Sequence, residues 1–148
     1  MSPFASGTTV PEERSLAELH RVLARFGADE LAVGARPDAA AVAFRVGGVS
    51  VRVRAPLPLE DEERFRIADG RVVRLRADAA AARAASERRR RLRALVLVVK
   101  ANLEAAASGI LTLEEAFLSH VVTPDGRTVG ERLLAPQGGL LLPENLSP

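Results

Sequence analysis

The sequence contains no cysteine, no tryptophan and no tyrosine. Without cysteine the chain forms no disulfide bond, holds no thiolate-bound metal and has no cysteine nucleophile. Its aromatic rings are five phenylalanines, and four of them fall on predicted core faces: Phe26, Phe44, Phe65 and Phe117. Many proteins that bind single-stranded nucleic acid stack bases on exposed aromatic side chains, so this composition argues against a stacking mode of recognition.

The common catalytic signatures are also missing. The sequence has no G-x-x-x-x-G-K-[ST] phosphate loop, no G-x-G-x-x-G, no H-E-x-x-H and no G-x-S-x-G. His20 and His120 are the two histidines, and we interpret them as ordinary surface or helix-end residues. The acidic run 60–63 lacks the ligand spacing of a calcium loop and is interpreted as a solvated link. We therefore predict a non-enzymatic protein with no metal and no cofactor.

Long hydrophobic runs are absent as well. The longest apolar stretch, 92–99, is interrupted by Arg93 and is far shorter than the roughly 18 residues of a membrane span. The first residues lack the basic and apolar regions of a signal peptide, so we expect a cytoplasmic protein without a membrane partner. With 148 residues, 47% hydrophobic and 27% charged, the chain is predicted to be a single domain over 1–148. A flexible arm over 1–8 and a Pro- and Leu-containing tail over 136–148 are expected to flank its core.

Charge is distributed unevenly, although the net charge is only +2. Residues 71–100 carry ten basic and two acidic side chains, a local net charge of +8. At their centre lies the run Arg88–Arg91, followed by Arg93. Successive helical residues are turned by about 100°, so these side chains cannot all face one ligand. The candidate binding patch consists of arginines on the predicted helix and sheet: Arg45, Arg52, Arg54, Arg74, Arg83, Arg88, Arg89, Arg90, Arg91 and Arg93.

Three interpretations of this patch remain open. Arginines clustered in this way contact nucleic-acid phosphates, with strong salt dependence and weak sequence specificity. Alternatively, the patch docks on an acidic surface of a host or phage protein, for example a host enzyme such as RNA polymerase. The third interpretation is a solvated helix face that is partly ion-paired within the chain.

The first half of the sequence predicts a helix followed by an antiparallel meander. Apolar residues repeat at helical spacing over 12–26, and a short strand is expected over 31–35. Segments 41–46 and 49–54 flank Gly47-Gly48, a two-residue hairpin turn. Pairing across that turn puts six apolar residues on one face, with Val46 opposite Val49, Phe44 opposite Val51 and Val42 opposite Val53. A second hairpin is predicted from segments 65–67 and 71–76.

The second half predicts a long helix and a small C-terminal unit. Asp78 is the expected cap of a helix that reaches about residue 107, with an apolar stripe in its second half. Thr112 and Glu115 form a capping box for a short helix over 113–120, and a hairpin over 121–129 turns at residues 124–126. The predicted fold class is α+β, an antiparallel sheet of hairpins packed by the N-terminal helix and the long central helix. The short helix and the last hairpin complete this fold.

Three stretches of the C-terminal half carry a family resemblance: RLRALVLVVKANLEAA (91–106), SGILTLEEAFLSH (108–120) and PDGRTVG (124–130). In these stretches the chain resembles a group of small uncharacterised bacteriophage and prophage proteins. That group shares a long helix ending in K-A-x-L-E, an F-L helix and a PDG-x-TVG hairpin. The likeness covers residues 91–135. It differs from the group at Leu92, where tryptophan is frequent, and at residues 137–139, which are a shortened segment. The resemblance implies a phage origin and carries over no catalytic residue.

Overall fold

The computed structural model describes residues 10–59 and 77–134. In this part of the chain, three antiparallel strands form one sheet in the order β1 (Glu30–Ala35), β2 (Ala39–Val46) and β3 (Val49–Pro56). A one-turn 3₁₀ helix lies between the two shortest α-helices, at Leu118–His120. The remaining elements follow the chain in this order: α1 Val10–Phe26, β1 Glu30–Ala35, β2 Ala39–Val46, β3 Val49–Pro56, α2 Ala77–Ala107, α3 Leu113–Ala116 and α4 Val129–Leu133.

The hairpin of β2 and β3 has the predicted register. Gly47 and Gly48 form its turn with φ angles of 57° and 83°, values that glycine adopts without steric cost. Val46 lies opposite Val49, and the two further predicted pairs are also confirmed. The short predicted strand is β1, which pairs with β2 along its whole length.

The core lies between one face of the sheet and the two long helices. Leu19 and Leu23 of α1 are fully buried there, as are Leu92, Val96 and Val99 of α2. Strand residues alternate between the two faces, so the apolar residues of β2 and β3 pack against these helices. This arrangement confirms the α+β class and the helical cover of the sheet. We call this the inner face of the sheet, and the opposite side the outer face.

The short C-terminal helix ends earlier than the sequence predicts. Its capping box is present, but α3 stops at Ala116 and a 3₁₀ turn follows, so the predicted helix over 113–120 is too long. The reason is Phe117, whose backbone leaves helical geometry as its fully buried side chain enters the core. Its ring meets Phe44 edge to face, with 5.4 Å between the centroids.

The last predicted hairpin has one isolated bridge between its two arms rather than two full strands, and a second bridge joins it to β3. Val121 bridges Val51 of β3, and Val122 bridges Thr128. The Val122 N–H donates to the Ser50 carbonyl at 2.8 Å, so this turn lies against the edge of β3. Thr128 then begins α4 with a second capping box.

Several predictions fall on residues that the structure does not describe. These are the arm 1–8, the hairpin of 65–67 and 71–76, the acidic link 60–63, the side chain of Arg74 and the tail 136–148. At the start of α2 the described helix begins at Ala77, one residue before its expected cap. None of the helices within residues 10–59 and 77–134 is both long enough and apolar enough to span a membrane.

Candidate nucleic-acid interface

The run Arg88–Arg91 divides between the sheet and the solvent. Arg88 turns toward the loop between β1 and β2, where its Nη1 donates to the Pro37 carbonyl at 3.0 Å and its Nη2 to the Arg36 carbonyl at 3.1 Å. Arg91 reaches the end of β3, where its Nη1 donates to the Pro56 carbonyl at 2.7 Å. These two arginines therefore join α2 to one end of the sheet and are engaged inside the fold.

Arg88 also forms a buried ion pair. Its Nε lies 3.0 Å from Glu12 Oε2, and the two side chains are 12% and 1% exposed. A pair buried to this degree has lost its hydration, so each charge depends on the other and on the surrounding carbonyl groups. Of the three interpretations of the patch, this contact with Glu12 of α1 agrees with the one in which the helix is partly ion-paired within the chain.

Two further glutamates are each shared by two cations. Glu87 accepts from Arg90 at 2.9 Å and from Arg91 at 3.1 Å. Hydrogen bonds from these two guanidinium groups lower the pKa of Glu87 to about 2. Because one negative charge faces two positive charges, this cluster keeps one positive charge in excess.

Glu18 of α1 forms the second such cluster. It accepts from Arg93 Nη1 at 2.8 Å and from Lys100 Nζ at 3.0 Å. The hydrogen bond from Lys100 is the main reason that the pKa of Glu18 lies below its usual range. This cluster also keeps one positive charge in excess, so internal pairing reduces the charge of α2 without cancelling it.

The excess positive charge lies on the solvent side of α2. We define the basic helix face as Arg83, Arg89, Arg90 and Arg93, all of which are exposed. At 100° per residue their side chains project within an arc of about 120°. The Arg90 and Arg93 side chains are 78% and 56% exposed, and Arg89 forms no ion pair with any residue in 10–59 or 77–134. Four exposed arginine side chains thus lie on one side of α2.

Three of the predicted sheet arginines are described, Arg45, Arg52 and Arg54, and they lie on the outer face, in a different layer from α2. Arg45 pairs with Glu30 at 2.8 Å, and Arg52 pairs with Glu131 at 3.1 Å. Arg54 is exposed and has no ion-pair partner within the described part of the chain. Since α2 covers the inner face, the structure does not unite the predicted patch into one surface.

A shallow depression of about 280 Å³ lies on the outer face. Its floor contains small residues of β1 and β2, among them Gly34 and Ala41, while Arg36 and Arg54 lie at its margin. Sequence reasoning missed Arg36, because it follows β1 in a turn where strand alternation gives no signal. Alanine and glycine supply no catalytic group, so the depression has the character of a contact surface.

The two histidines lie on separate elements. His20 is exposed on α1, whereas His120 ends the 3₁₀ turn and is partly buried. Burial lowers the pKa of His120, which favours the neutral imidazole. Among the residues that the structure describes, no group of three or more histidine, aspartate or glutamate side chains is placed to hold a metal ion.

No family model, no curated protein and no solved structure matches this chain. The likeness of residues 91–135 to phage and prophage proteins therefore stays a prediction from the sequence.

Proposed function

We propose that this chain is a non-enzymatic, cytoplasmic binding protein that contacts the phosphate backbone of nucleic acid through the basic helix face. The main support for this proposal is that Glu18 and Glu87 are each shared by two cations, which leaves excess positive charge on exposed arginines. The phage setting, in replication or packaging, is proposed from the resemblance of residues 91–135 alone.

The chemistry of these side chains supports phosphate as the ligand. A guanidinium group offers several donors in a fixed planar fork that matches phosphate oxygens. The sequence has no tryptophan or tyrosine, and both Phe44 and Phe117 are buried in the core. Binding is therefore expected to be electrostatic, nearly independent of base sequence and weakened by salt.

The test is fluorescence anisotropy with labelled duplex and single-stranded DNA, at salt concentrations from about 50 to 200 mM. The variant Arg89→Gln/Arg90→Gln is expected to bind more weakly than the native chain. Each lost phosphate contact reduces the salt slope for duplex DNA by about 0.9, so the double variant loses close to two units of slope.

Arg54→Gln is the matched control, since Arg54 is also exposed and without an ion-pair partner in the described part of the chain. Arg54 lies on the outer face, so the Arg54→Gln variant should bind DNA with the affinity and salt slope of the native chain. No binding at about 50 mM salt refutes the proposal. If Arg54→Gln loses affinity for DNA and Arg89→Gln/Arg90→Gln does not, nucleic acid binds to the outer face instead.

One observation favours the protein-binding alternative. Leu97 and Val98 of α2 are 53% and 45% exposed, on the same helix as the basic helix face. Exposed apolar residues next to cations are typical of surfaces that meet acidic proteins. A pull-down from nuclease-treated host lysate separates the two functions, because a partner that is bridged by nucleic acid is lost after nuclease. A partner that is retained after nuclease treatment, and that the Leu97→Glu variant no longer retains, favours the protein-binding function.

A further inference from the structure

Strand β1 lies at one end of the sheet, and its outer edge has no strand beside it among the described residues. The hydrogen-bond alternation shows which backbone groups point to that edge. The Arg36 N–H donates to the Ala39 carbonyl at 2.7 Å. The backbone N–H and C=O groups of Arg36 and of the even-numbered residues of β1 are therefore directed at β2. The backbone groups of Leu31, Val33 and Ala35 therefore face outward.

This edge lacks the features by which proteins prevent strand addition. Exposed edge strands usually carry proline, lysine or a bulge. The six residues of β1, ELAVGA, include neither proline nor a basic residue, and they pair with β2 without a bulge. At the opposite edge, the Val122 N–H already donates to the Ser50 carbonyl of β3.

The edge is complementary to itself in an antiparallel arrangement. A two-fold axis at Val33 pairs Leu31 with Ala35 of a second copy, so outward-facing residues meet outward-facing residues, as an antiparallel ladder requires. The same axis brings Glu30 opposite Arg36 of the second copy. A two-fold axis at Leu31 or Ala35, the other outward-facing residues of β1, pairs fewer residues of the two strands, and it no longer places Glu30 opposite Arg36.

The charged ends of the strand are available for this contact. Glu30 and Arg36 are exposed and lie on the outer face, together with Arg45. Glu30 uses Oε1 for its ion pair with Arg45, which leaves Oε2 for a second guanidinium group. The Arg36 side chain has no ion-pair partner within residues 10–59 and 77–134.

From this geometry we propose that two copies of the chain pair through their β1 strands, antiparallel about Val33, to form a continuous six-stranded sheet with reciprocal Glu30–Arg36 ion pairs. Leu31 and Val33, which are partly exposed in the single chain, become more buried in this pairing. The basic helix faces lie on the inner side of the sheet, away from the new ladder, so pairing gives the assembly two of them.

The first test is the mass of the 148-residue chain by sedimentation equilibrium, in nuclease-treated samples from about 1 to 200 µM. We expect a dimer with a dissociation constant in the micromolar range, since the ladder is short. In hydrogen exchange, the amides of Leu31, Val33 and Ala35 should be protected at high concentration and should lose protection on dilution.

The second test reverses the charges. Glu30→Arg and Arg36→Glu should each raise the dissociation constant about 3- to 10-fold, and Glu30→Arg/Arg36→Glu should restore it. Arg54→Glu is the control, because it reverses an arginine of the same face on the distant strand β3. Circular dichroism of each variant checks that the monomer is folded.

Each outcome decides the proposal. A dimer with concentration-dependent protection of the three amides, together with rescue by the double reversal, supports it. A monomer at about 200 µM overturns it, whether the edge stays open or another segment of the chain covers it. A dimer that the double reversal does not restore, or that Arg54→Glu dissociates equally, pairs through a different surface and also overturns it.

Discussion

Neighbouring arginines of α2 differ in what they contact. Arg88 is buried against Glu12, Arg91 donates to the Pro56 carbonyl at the end of β3, and Arg89 is exposed to solvent. The sequence shows four consecutive arginines and the 100° turn between them, so their divergence was predictable. The identity of the buried partner was not, because Glu12 lies 76 residues away from Arg88 along the chain.

The buried pair gives a prediction about stability. Glu12→Ala should lower the free energy of unfolding by about 3 kcal/mol or more, since it leaves the Arg88 charge buried and uncompensated. Glu18→Ala removes two more exposed ion pairs, with Arg93 and Lys100, and should cost only about 1 kcal/mol. Urea denaturation of both variants measures the difference. If both variants lower the free energy of unfolding by the same small amount, Arg88 is not held in the buried pair.

At the scale of elements, the local signals of the sequence identify the three strands of the sheet and the start of α3. The Gly47-Gly48 turn and the Thr112–Glu115 capping box appear as predicted, because each depends on residues within four positions of one another. The end of α3 was mispredicted, because Phe117 contributes to the core contact with Phe44 rather than to a longer helix. Capping patterns alone carry no information about such a contact.

Gly130 of α4 is a second feature that the sequence does not reveal. A Cβ atom at this position would lie 2.9 Å from the Ser119 carbonyl oxygen, so α4 approaches the 3₁₀ turn more closely than any other residue allows. Gly130→Ala should therefore destabilise the protein by about 1–3 kcal/mol, even though alanine is the better helix former.

Thermal unfolding measures this effect, and Arg132→Ala serves as the control because it is exposed in the same helix. The control loses an exposed ion pair with Asp125 and should lower the free energy of unfolding by less than about 1 kcal/mol. A Gly130→Ala variant as stable as the native protein would mean that α4 can move away from the turn at no cost.

At the scale of the whole molecule, ion pairs connect the layers. Glu18 joins α1 to α2, and Glu131 joins α4 to Arg52 of the sheet. The pKa of Glu131 is lowered mainly by the backbone N–H of Thr128, and that of Glu18 mainly by Lys100. Both carboxylates therefore favour their charged form in the folded protein.

This linkage predicts loss of stability in acid. A carboxylate whose pKa is lower in the folded state contributes stability above its unfolded value, near 4.5, and loses that contribution as the pH falls through its folded value. The free energy of unfolding should thus decrease as the pH drops below about 4.5. Denaturation at a series of pH values should show a smaller decrease for Glu18→Gln/Glu131→Gln than for the native chain.

Glu114→Gln provides the comparison, since Glu114 is exposed and forms no ion pair with any described residue. Its acid dependence should match that of the native protein. If the double variant loses stability in acid as steeply as the native chain, other carboxylates determine the acid response.

The sequence by itself determined the α+β class, the order of α1, the three strands and α2, and the register of the central hairpin, because these follow from apolar periodicity and turn residues that are close together in the chain. Tertiary structure alone decided which arginines are free. It placed Glu12 and Glu18 of α1 beside α2 and put the sheet arginines on the opposite layer. Availability of a charge depends on partners distant in sequence, and only the packing of the layers brings those partners together.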